Sequence, residues 1–202
     1  ALAPFTPIAK TGKFCSKTES KIMSTASSPT AVLVLASGQT FYGQGCGHIG
    51  DAVGEVCFNT AMTGYQEILT DPSYAQQIIC FTFPHVGNTG TNAEDEEAST
   101  LRAEDAAKGA IFKAPVTSPS SWRADSHLHD WLKARKIIAI SGVDTRALTS
   151  HIRDAGMPNG VIAHDPDGNF DIDALTAKAR GWNGLVGADL AADVHTLETF
   201  DW

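Results

Sequence analysis

The sequence has little positive charge for its size. It carries 15 Lys and Arg against 23 Asp and Glu, which gives a formal net charge of −8. A protein without surplus cations cannot replace the counterions condensed on a phosphate backbone, so nucleic acid is not an expected partner. No apolar run approaches the length of a transmembrane helix, so a membrane is not an expected partner either.

Cysteine is also scarce. The four residues are Cys15, Cys46, Cys57 and Cys80. They form no CxxC pair and no Cys/His cluster with the spacing of a zinc site. Cys57 and Cys80 lie inside the apolar runs EVCFN and IICFT, where a thiol behaves as a small buried hydrophobic group. These features favour reduced thiols in a cytoplasmic protein over disulfides.

Residues 1–30 differ in composition from the rest of the chain. They are rich in Pro, Ser, Thr and Lys, contain only Glu19 as an acid, and show little hydrophobic periodicity. They lack the arginines of a transit peptide and the apolar core of a secretory signal. We therefore expect a disordered tail, or a segment foreign to the natural protein, for which Met23 could be the start.

Several segments from residue 31 onward have the pattern of β-strands. AVLVLASGQTFYGQGCG predicts a hairpin, and GEVCFNTAM, IIAI and GVIAHD predict further strands. QIICFTF is almost entirely apolar, which predicts a strand buried on both faces. GAIFKAPVTS predicts another strand, in which Pro115 indicates an edge or a bulge.

Three segments predict helices. SHLHDWLKARK would have Asp125 or Ser126 as its cap, and DIDALTAKARGW predicts a helix near the end of the chain. GVDTRALTSHIRDAGMP gives the clearest local signal. Asp144 is its expected N-cap, Val143 and Leu148 occupy the hydrophobic-staple positions, and Gly156 is expected to end the helix.

The order of these elements predicts the fold class. Strands come first, followed by an alternation of helices and strands, which favours an α+β fold. We expect a layered β/β/α domain, with a mixed sheet and a few helices, over residues 31–165. Residues 166–202 have glycine breaks and no clear period towards their end, and are expected to form an extended interdomain segment.

The glycine-rich run GQGCGHIG, residues 43–50, has two possible interpretations. A phosphate cradle would need a helix directly after it, or a Walker lysine, and the sequence has a strand pattern instead. A plain loop is therefore favoured. Cys46 in this run lacks the small residues of a nucleophile elbow, because Gln44 and His48 occupy those positions, so we interpret it as a loop cysteine.

Two further patterns could suggest metal binding. His127 and His129 are two residues apart on a predicted helix and cannot face one ion, so they are expected to be surface residues. The acidic run AEDEEAST, residues 93–100, lacks the alternate spacing of a calcium loop and favours a solvated helix start. No metal site is expected.

The segment TDPSY contains the most promising candidate for ligand contact. Asp71 and Pro72 favour a turn, and Ser73 is expected to project from its tip with a free hydroxyl. No histidine or lysine lies near Ser73 in sequence, so it is a poor nucleophile. Its hydroxyl is suited to hydrogen-bonding a carboxylate or an amide of a ligand.

The run GEVCFNTAMTGYQEILTDPSYAQQIICFTFPHVGNTGTNAEDEEA closely resembles the small subunit of glutamine-hydrolysing carbamoyl-phosphate synthetase, in its amino-terminal region. The resemblance continues through ISGVDTRALTSHIRDAGMPNGVIAHD to LVGADLAADVH, and so covers nearly all of residues 31–202. Cys57 stands where valine is expected in much of the family, a change compatible with a buried position. The family's domain is a layered β/β/α fold of the swivelling type.

The resemblance implies a part in a two-subunit ligase. In the family, a carboxy-terminal glutamine amidotransferase domain with a Cys-His-Glu triad hydrolyses glutamine. Ammonia then passes to the large subunit, which uses ATP, Mg and bicarbonate to make carbamoyl phosphate for arginine and pyrimidine synthesis. The implied partners are the glutaminase domain of the same subunit, the large subunit and L-glutamine, with no cofactor in this chain.

The resemblance also assigns a role to one residue and a limit to the chain. Ser73 matches the family serine that crosses the domain boundary to help bind the amino-acid end of glutamine, while residues 63–66 would shape an interdomain or intersubunit surface. No G-x-C-x-G nucleophile turn occurs in the 202 residues. We therefore expect residues 166–202 to lead to a glutaminase domain absent here, and the isolated chain to be inactive. The alternative is a pure docking module without substrate contact.

Overall fold

The computed structural model describes residues 28–97 and 106–190. Most of the predicted tail and the end of the predicted linker segment lie outside the described residues. Across the described part, no helix has both the length and the apolar character that crossing a bilayer requires.

The described chain alternates short strands with a few helices. The strands are β1 (Ala31–Leu35), β2 (Thr40–Gly47), β3 (Gly50–Asn59), β4 (Gln77–Phe81), β5 (Gly109–Ile111), β6 (Ile138–Ser141) and β7 (Asn159–His164). The helices are α1 (Tyr65–Thr70), α2 (Leu128–Ala134), α3 (Thr145–Ala155) and α4 (Ile172–Gly181), with a 3-10 turn at Pro72–Tyr74.

The strands close into one barrel in the order β1-β2-β6-β5-β4-β3-β7. Neighbours from β3 through β4 and β5 to β6 are parallel, whereas β1, β2 and β7 pair antiparallel with their neighbours. The prediction of an α+β fold with a mixed sheet is confirmed. The layered β/β/α arrangement stays a prediction, because the strands form a closed barrel in the part of the chain that the structure describes.

The core occupies both sides of the barrel wall. One cluster gathers side chains from six strands inside the barrel and extends to Leu148 and Ile152 of α3. Two more lie outside it, one beneath α1 and α2 and one beneath α4. Strand β4 contributes alternate residues to the inner cluster and to the one beneath α1 and α2, which confirms that it is buried on both faces.

Helix α3 forms where the sequence predicts it. The Asp144 carboxylate accepts a hydrogen bond from the Ala147 N–H at 3.0 Å, which caps the first turn. Val143 and Leu148 are both buried in the same cluster, as the hydrophobic staple requires. Gly156 ends the helix with φ 87°, a conformation that favours glycine.

Two local predictions are wrong. Strand β5 ends at Ile111, before Pro115, and lies between β4 and β6 with no edge exposed. Helix α2 is capped by His127, whose Nδ1 accepts from the His129 N–H at 3.0 Å, and not by Asp125 or Ser126. The reason is that Ser126 already bridges to Thr91, with 2.7 Å between their hydroxyl oxygens.

The glycine-rich run is largely strand and not a loop, because residues 43–47 belong to β2. A Cβ at Gly43 would lie 2.2 Å from the Ser141 carbonyl oxygen, and one at Gly45 would lie 2.0 Å from Cδ2 of His164. These glycines are therefore required by close packing within the barrel, a role that sequence alone does not distinguish from a loop.

The acidic run is not a helix start over its described residues, 93–97, which are bends and irregular chain. Its side chains are used in ion pairs. Asp95 and Glu94 pair with Arg123 at 2.7 and 3.3 Å, and Glu96 pairs with Arg135. The charges thus tie this segment to the chain around α2.

Candidate functional site

Ser73 lies in the middle of the 3-10 turn that precedes β4. The Asp71 carboxylate accepts from the Ser73 N–H at 2.8 Å, and the Asp71 carbonyl accepts from the Tyr74 N–H at 3.0 Å. Pro72 occupies the first position of the turn, where its fixed φ suits the geometry. Ser73 is exposed, and no hydrogen bond within the described residues uses its hydroxyl. The structure therefore shows the exposed turn serine that the sequence predicts, while its role remains a prediction.

Strand β3 holds this turn against the barrel from two sides. The Asn59 side-chain amide donates to the Tyr74 hydroxyl at 2.9 Å. After the turn, the Gln76 carbonyl accepts from the Glu55 N–H at 3.3 Å, and a Cβ at Gly54 would come within 2.5 Å of that same carbonyl oxygen. The glycine thus permits the contact that positions the turn carrying Ser73.

The chemistry available at Ser73 is binding, not catalysis. A serine hydroxyl can donate one hydrogen bond and accept others, so it can contact a carboxylate, an amide or an ammonium group. The neighbouring Asp71 carboxylate already accepts from the Ser73 backbone N–H, and within the described residues no hydrogen bond joins Ser73 to a histidine or lysine. Without a general base, the hydroxyl is not activated as a nucleophile.

Tyr65 and Gln66 are buried residues of α1, and their side chains form hydrogen bonds to the loop at residues 89–92. The Tyr65 hydroxyl donates to the Gly90 carbonyl at 2.5 Å and accepts from the Thr89 hydroxyl at 2.9 Å. Burial raises the pKa of Tyr65, so the phenol stays protonated and keeps its donor.

Gln66 forms a second anchor for the same loop. Its amide Nε2 donates to the Asn92 carbonyl at 2.5 Å, and its Oε1 accepts from the Asn92 N–H at 3.0 Å. The Gln66 side chain is 3% exposed. Tyr65 and Gln66 therefore support the surface loop from inside the protein. Of the predicted surface segment, residues 63–66, only Thr63 and Gly64 are accessible to solvent.

Cys46 and His129 form a contact that sequence reasoning missed. The Cys46 Sγ lies 3.4 Å from Nδ1 of His129, and the Gly47 N–H donates to that same nitrogen at 3.1 Å. Nδ1 is therefore an acceptor, and burial raises the pKa of the Cys46 thiol to about 11. A protonated thiol beside an occupied imidazole nitrogen is a structural contact and not an activated nucleophile.

Two predictions are corrected by this contact. Cys46 is a buried residue of β2 and not a loop cysteine, and His129 is half-buried against it and not a surface residue. The two lie 83 residues apart. They meet because α2 packs on β2, a tertiary contact that no local pattern indicates.

The remaining described cysteines also belong to the core. Cys46, Cys57 and Cys80 are buried free thiols, whereas Cys15 lies outside the described residues. Burial raises the pKa of both Cys57 and Cys80 to about 12. Residues 28–97 and 106–190 contain no group of three or more His, Cys, Asp or Glu side chains that could hold a metal ion.

The sequence of this region matches a known protein family. Residues 33–162 match the family model described as "Carbamoyl-phosphate synthase small chain, CPSase domain". That span includes the Ser73 turn and the loop anchored by Tyr65 and Gln66.

Curated relatives agree with the family match. The chain is 62% identical over 173 residues to the carbamoyl phosphate synthase small chain of Caulobacter vibrioides, covering 86% of this chain and 45% of that one. It is 60% identical over 174 residues to the Mesorhizobium japonicum small chain, covering 86% and 44%. The chain thus spans less than half the length of these relatives.

Three solved structures that match part of the chain have low similarity to it, with TM-scores of 0.36, 0.38 and 0.37. An aminopeptidase from Aneurinibacillus sp. strain AM-1 is 12% identical to the chain, with a TM-score of 0.36. The match covers 68% of this chain and 31% of the aminopeptidase chain. A likeness of this size carries no argument about fold or activity.

Proposed function

The chain belongs to the carbamoyl-phosphate synthase small-chain family, and from this membership we propose that it acts in glutamine-dependent synthesis of carbamoyl phosphate. In this proposal a glutaminase domain, outside these residues, releases ammonia from glutamine. A large subunit, holding ATP and Mg, consumes the ammonia in a cytoplasmic heterodimer that serves arginine and pyrimidine synthesis. This chain carries no glutaminase activity alone.

The contribution proposed for this domain is a contact to glutamine through Ser73. The observation that carries it is an exposed hydroxyl, without a hydrogen-bond partner in the described chain, on a turn that β3 holds in place. A polar group that is already held in position loses little conformational entropy when it binds a ligand. A surface residue of one domain can in this way complete a binding site in another domain. The α-carboxylate and ammonium groups of an amino acid both suit a hydroxyl.

A second proposed role is docking, which a different observation favours. Phe58 and Met62 are large apolar side chains that flank Asn59 in sequence, and they are 37% and 72% exposed. Exposed apolar groups near a braced turn suit contact with another protein surface. Docking alone, without substrate contact, is the alternative to the Ser73 proposal.

The Ser73→Ala variant separates these roles in the full-length subunit assembled with its large subunit. Loss of one hydrogen bond to the substrate, worth about 1–2 kcal/mol, would raise the KM for glutamine about 5- to 30-fold. The rate of carbamoyl phosphate synthesis from added ammonia should stay unchanged, because that reaction does not use glutamine. Ser118→Ala, at another exposed serine, is the matched control. An unchanged KM for glutamine in Ser73→Ala would leave docking as the function.

A third hypothesis, that the chain is an independent cysteine hydrolase, conflicts with the environment of Cys46. Its pKa of about 11 leaves almost no thiolate at neutral pH, and its histidine neighbour is already bonded to the Gly47 amide. The isolated chain is therefore expected to hydrolyse neither glutamine nor simple esters, as followed by ammonia or p-nitrophenol release. Turnover that is abolished by Cys46→Ser would contradict this expectation.

A further inference from the structure

We propose that a cleft beside α3 binds a small anion carrying phosphate or carboxylate groups. The cleft has a volume of about 430 Å³, and its lining includes Thr82, Lys113, Thr145, Arg146, Ser150 and Arg153. This volume lies within the range of small-molecule sites in proteins. The site is separate from the Ser73 turn, since that turn precedes β4 and Thr82 follows it.

The topology of the barrel builds this cleft. Strands β4, β5 and β6 are parallel neighbours, so their carboxyl ends lie at the same end of the barrel. Thr82 directly follows β4, Lys113 lies two residues beyond β5, and Thr145 begins the helix that follows β6. Ligand sites in sheets with parallel strands form preferentially outside the carboxyl ends of those strands.

The charge of the cleft contrasts with that of the whole chain. Three cations line it, Lys113, Arg146 and Arg153, and no carboxylate is among its lining residues. The chain as a whole has a formal net charge of −8. Within the described residues, Lys113 and Arg146 have no ion pair, while Arg153 pairs with Asp154 at 3.1 Å. Two cations are therefore available to an anionic ligand.

The hydroxyl of Thr145, a largely buried residue, provides a second observation. Thr145 is 3% exposed and lines the cleft, yet no hydrogen bond within the described residues uses its hydroxyl. The neighbouring Thr149 differs, because its hydroxyl donates to the Thr145 carbonyl at 2.7 Å. Among the described residues no buried side-chain oxygen or nitrogen lacks a hydrogen-bond partner, so this oxygen is accessible from the cleft, where an anion could accept a hydrogen bond from it.

Side chains, not the end of α3, would hold the ligand. The Asp144 carboxylate already caps the helix by accepting from the Ala147 N–H, which places a negative group at that end. No aromatic side chain lines the cleft, so it offers no surface on which a nucleotide base could stack. The chemistry fits a compact phosphate or carboxylate compound.

The test uses the full-length small subunit purified without its large subunit. Isothermal titration calorimetry with pyrophosphate and with succinate distinguishes phosphate from carboxylate as the preferred group. We expect one probe to bind, and Lys113→Gln combined with Arg146→Gln to weaken it at least tenfold. Thr145→Val, which removes the hydroxyl at similar volume, is expected to weaken it several-fold. Lys133→Gln, at an exposed lysine on α2 outside the cleft, is the control for the loss of one positive charge and is compared with Lys113→Gln alone.

Three results would overturn the proposal. Neither probe binds the wild-type subunit, or Lys133→Gln weakens binding as much as the cleft variants, which would indicate a general effect of net charge. The third is that the Lys113→Gln, Arg146→Gln variant binds the probe as the wild type does but binds more weakly to the large subunit when that subunit is added, which would make the cleft a protein-docking surface.

Discussion

Replacing Gln66 by methionine tests whether one buried amide holds the loop that ends at Asn92. Methionine has nearly the same length and volume, so it leaves little cavity. It removes both hydrogen bonds to the Asn92 backbone, at 2.5 and 3.0 Å, and leaves that N–H and carbonyl without partners. Each lost hydrogen bond contributes about 1 kcal/mol on average, and a fully buried unpaired group would cost more.

Asn92 is only half-buried, so water can replace part of what is lost. We therefore expect the free energy of unfolding to fall by about 2 kcal/mol, as measured by urea titration followed by circular dichroism. Gln39→Met, at an exposed position, is the control and should change it by less than about 0.5 kcal/mol. If Gln66→Met is as stable as this control, the amide does not anchor the loop.

Gln66→Glu adds a pH dependence to the same experiment. A carboxylate can still accept from the Asn92 N–H, but it cannot donate to the Asn92 carbonyl. Burial would raise the pKa of the new carboxyl group above that of a glutamate in the unfolded chain. The folded state then binds more protons, so the variant loses stability relative to wild type as pH rises from 4 to 7. If the free energies of unfolding of the variant and the wild type differ by the same amount at pH 4 and at pH 7, this reasoning is wrong.

Burial raises the pKa of Cys57 and Cys80 to about 12, so their thiols should resist iodoacetamide at pH 8 until denaturant is added, and stability should fall as pH rises from about 9 towards 12. Asp144→Ala removes the cap of α3 and should lower the free energy of unfolding by about 0.5–2 kcal/mol in urea titrations. Gly45→Ala places a Cβ about 2 Å from the His164 ring and should destabilise the barrel by about 1–3 kcal/mol, seen as a lower thermal midpoint.

The parts of the fold that sequence predicts are those specified by nearby residues. The cap, the staple and the terminal glycine of α3 all lie between Val143 and Gly156, so their combined pattern predicts the helix. The turn carrying Ser73 is similarly local, since Asp71 and Pro72 define it. The apolar run of β4 identifies a strand buried on both faces without reference to its neighbours.

The parts that sequence does not predict depend on contacts between distant segments. The contact between Cys46 and His129 joins residues 83 positions apart. Tyr65 bonds to Gly90 across 25 positions, and its burial turns an apparent surface residue into an internal anchor. In the sequence, the glycines of β2 have the pattern of a loop. They are needed because β2 packs closely against residues of β6 and β7, and this packing exists only in the closed barrel.

The most direct test of the proposed role of Ser73 is a protection experiment with Ser73→Cys in the full-length subunit. The described natural cysteines are buried with raised pKa values, and Cys15→Ser removes the remaining one in this chain, so an introduced exposed thiol should react first among them. Alkylation at position 73 by iodoacetamide is followed by peptide mass spectrometry with and without glutamine. The proposed glutaminase nucleophile is replaced by serine in this variant, so that its alkylation cannot block the glutamine site. Our account predicts that saturating glutamine slows alkylation at this position. An alkylation rate unaffected by glutamine would contradict a contact between Ser73 and the substrate.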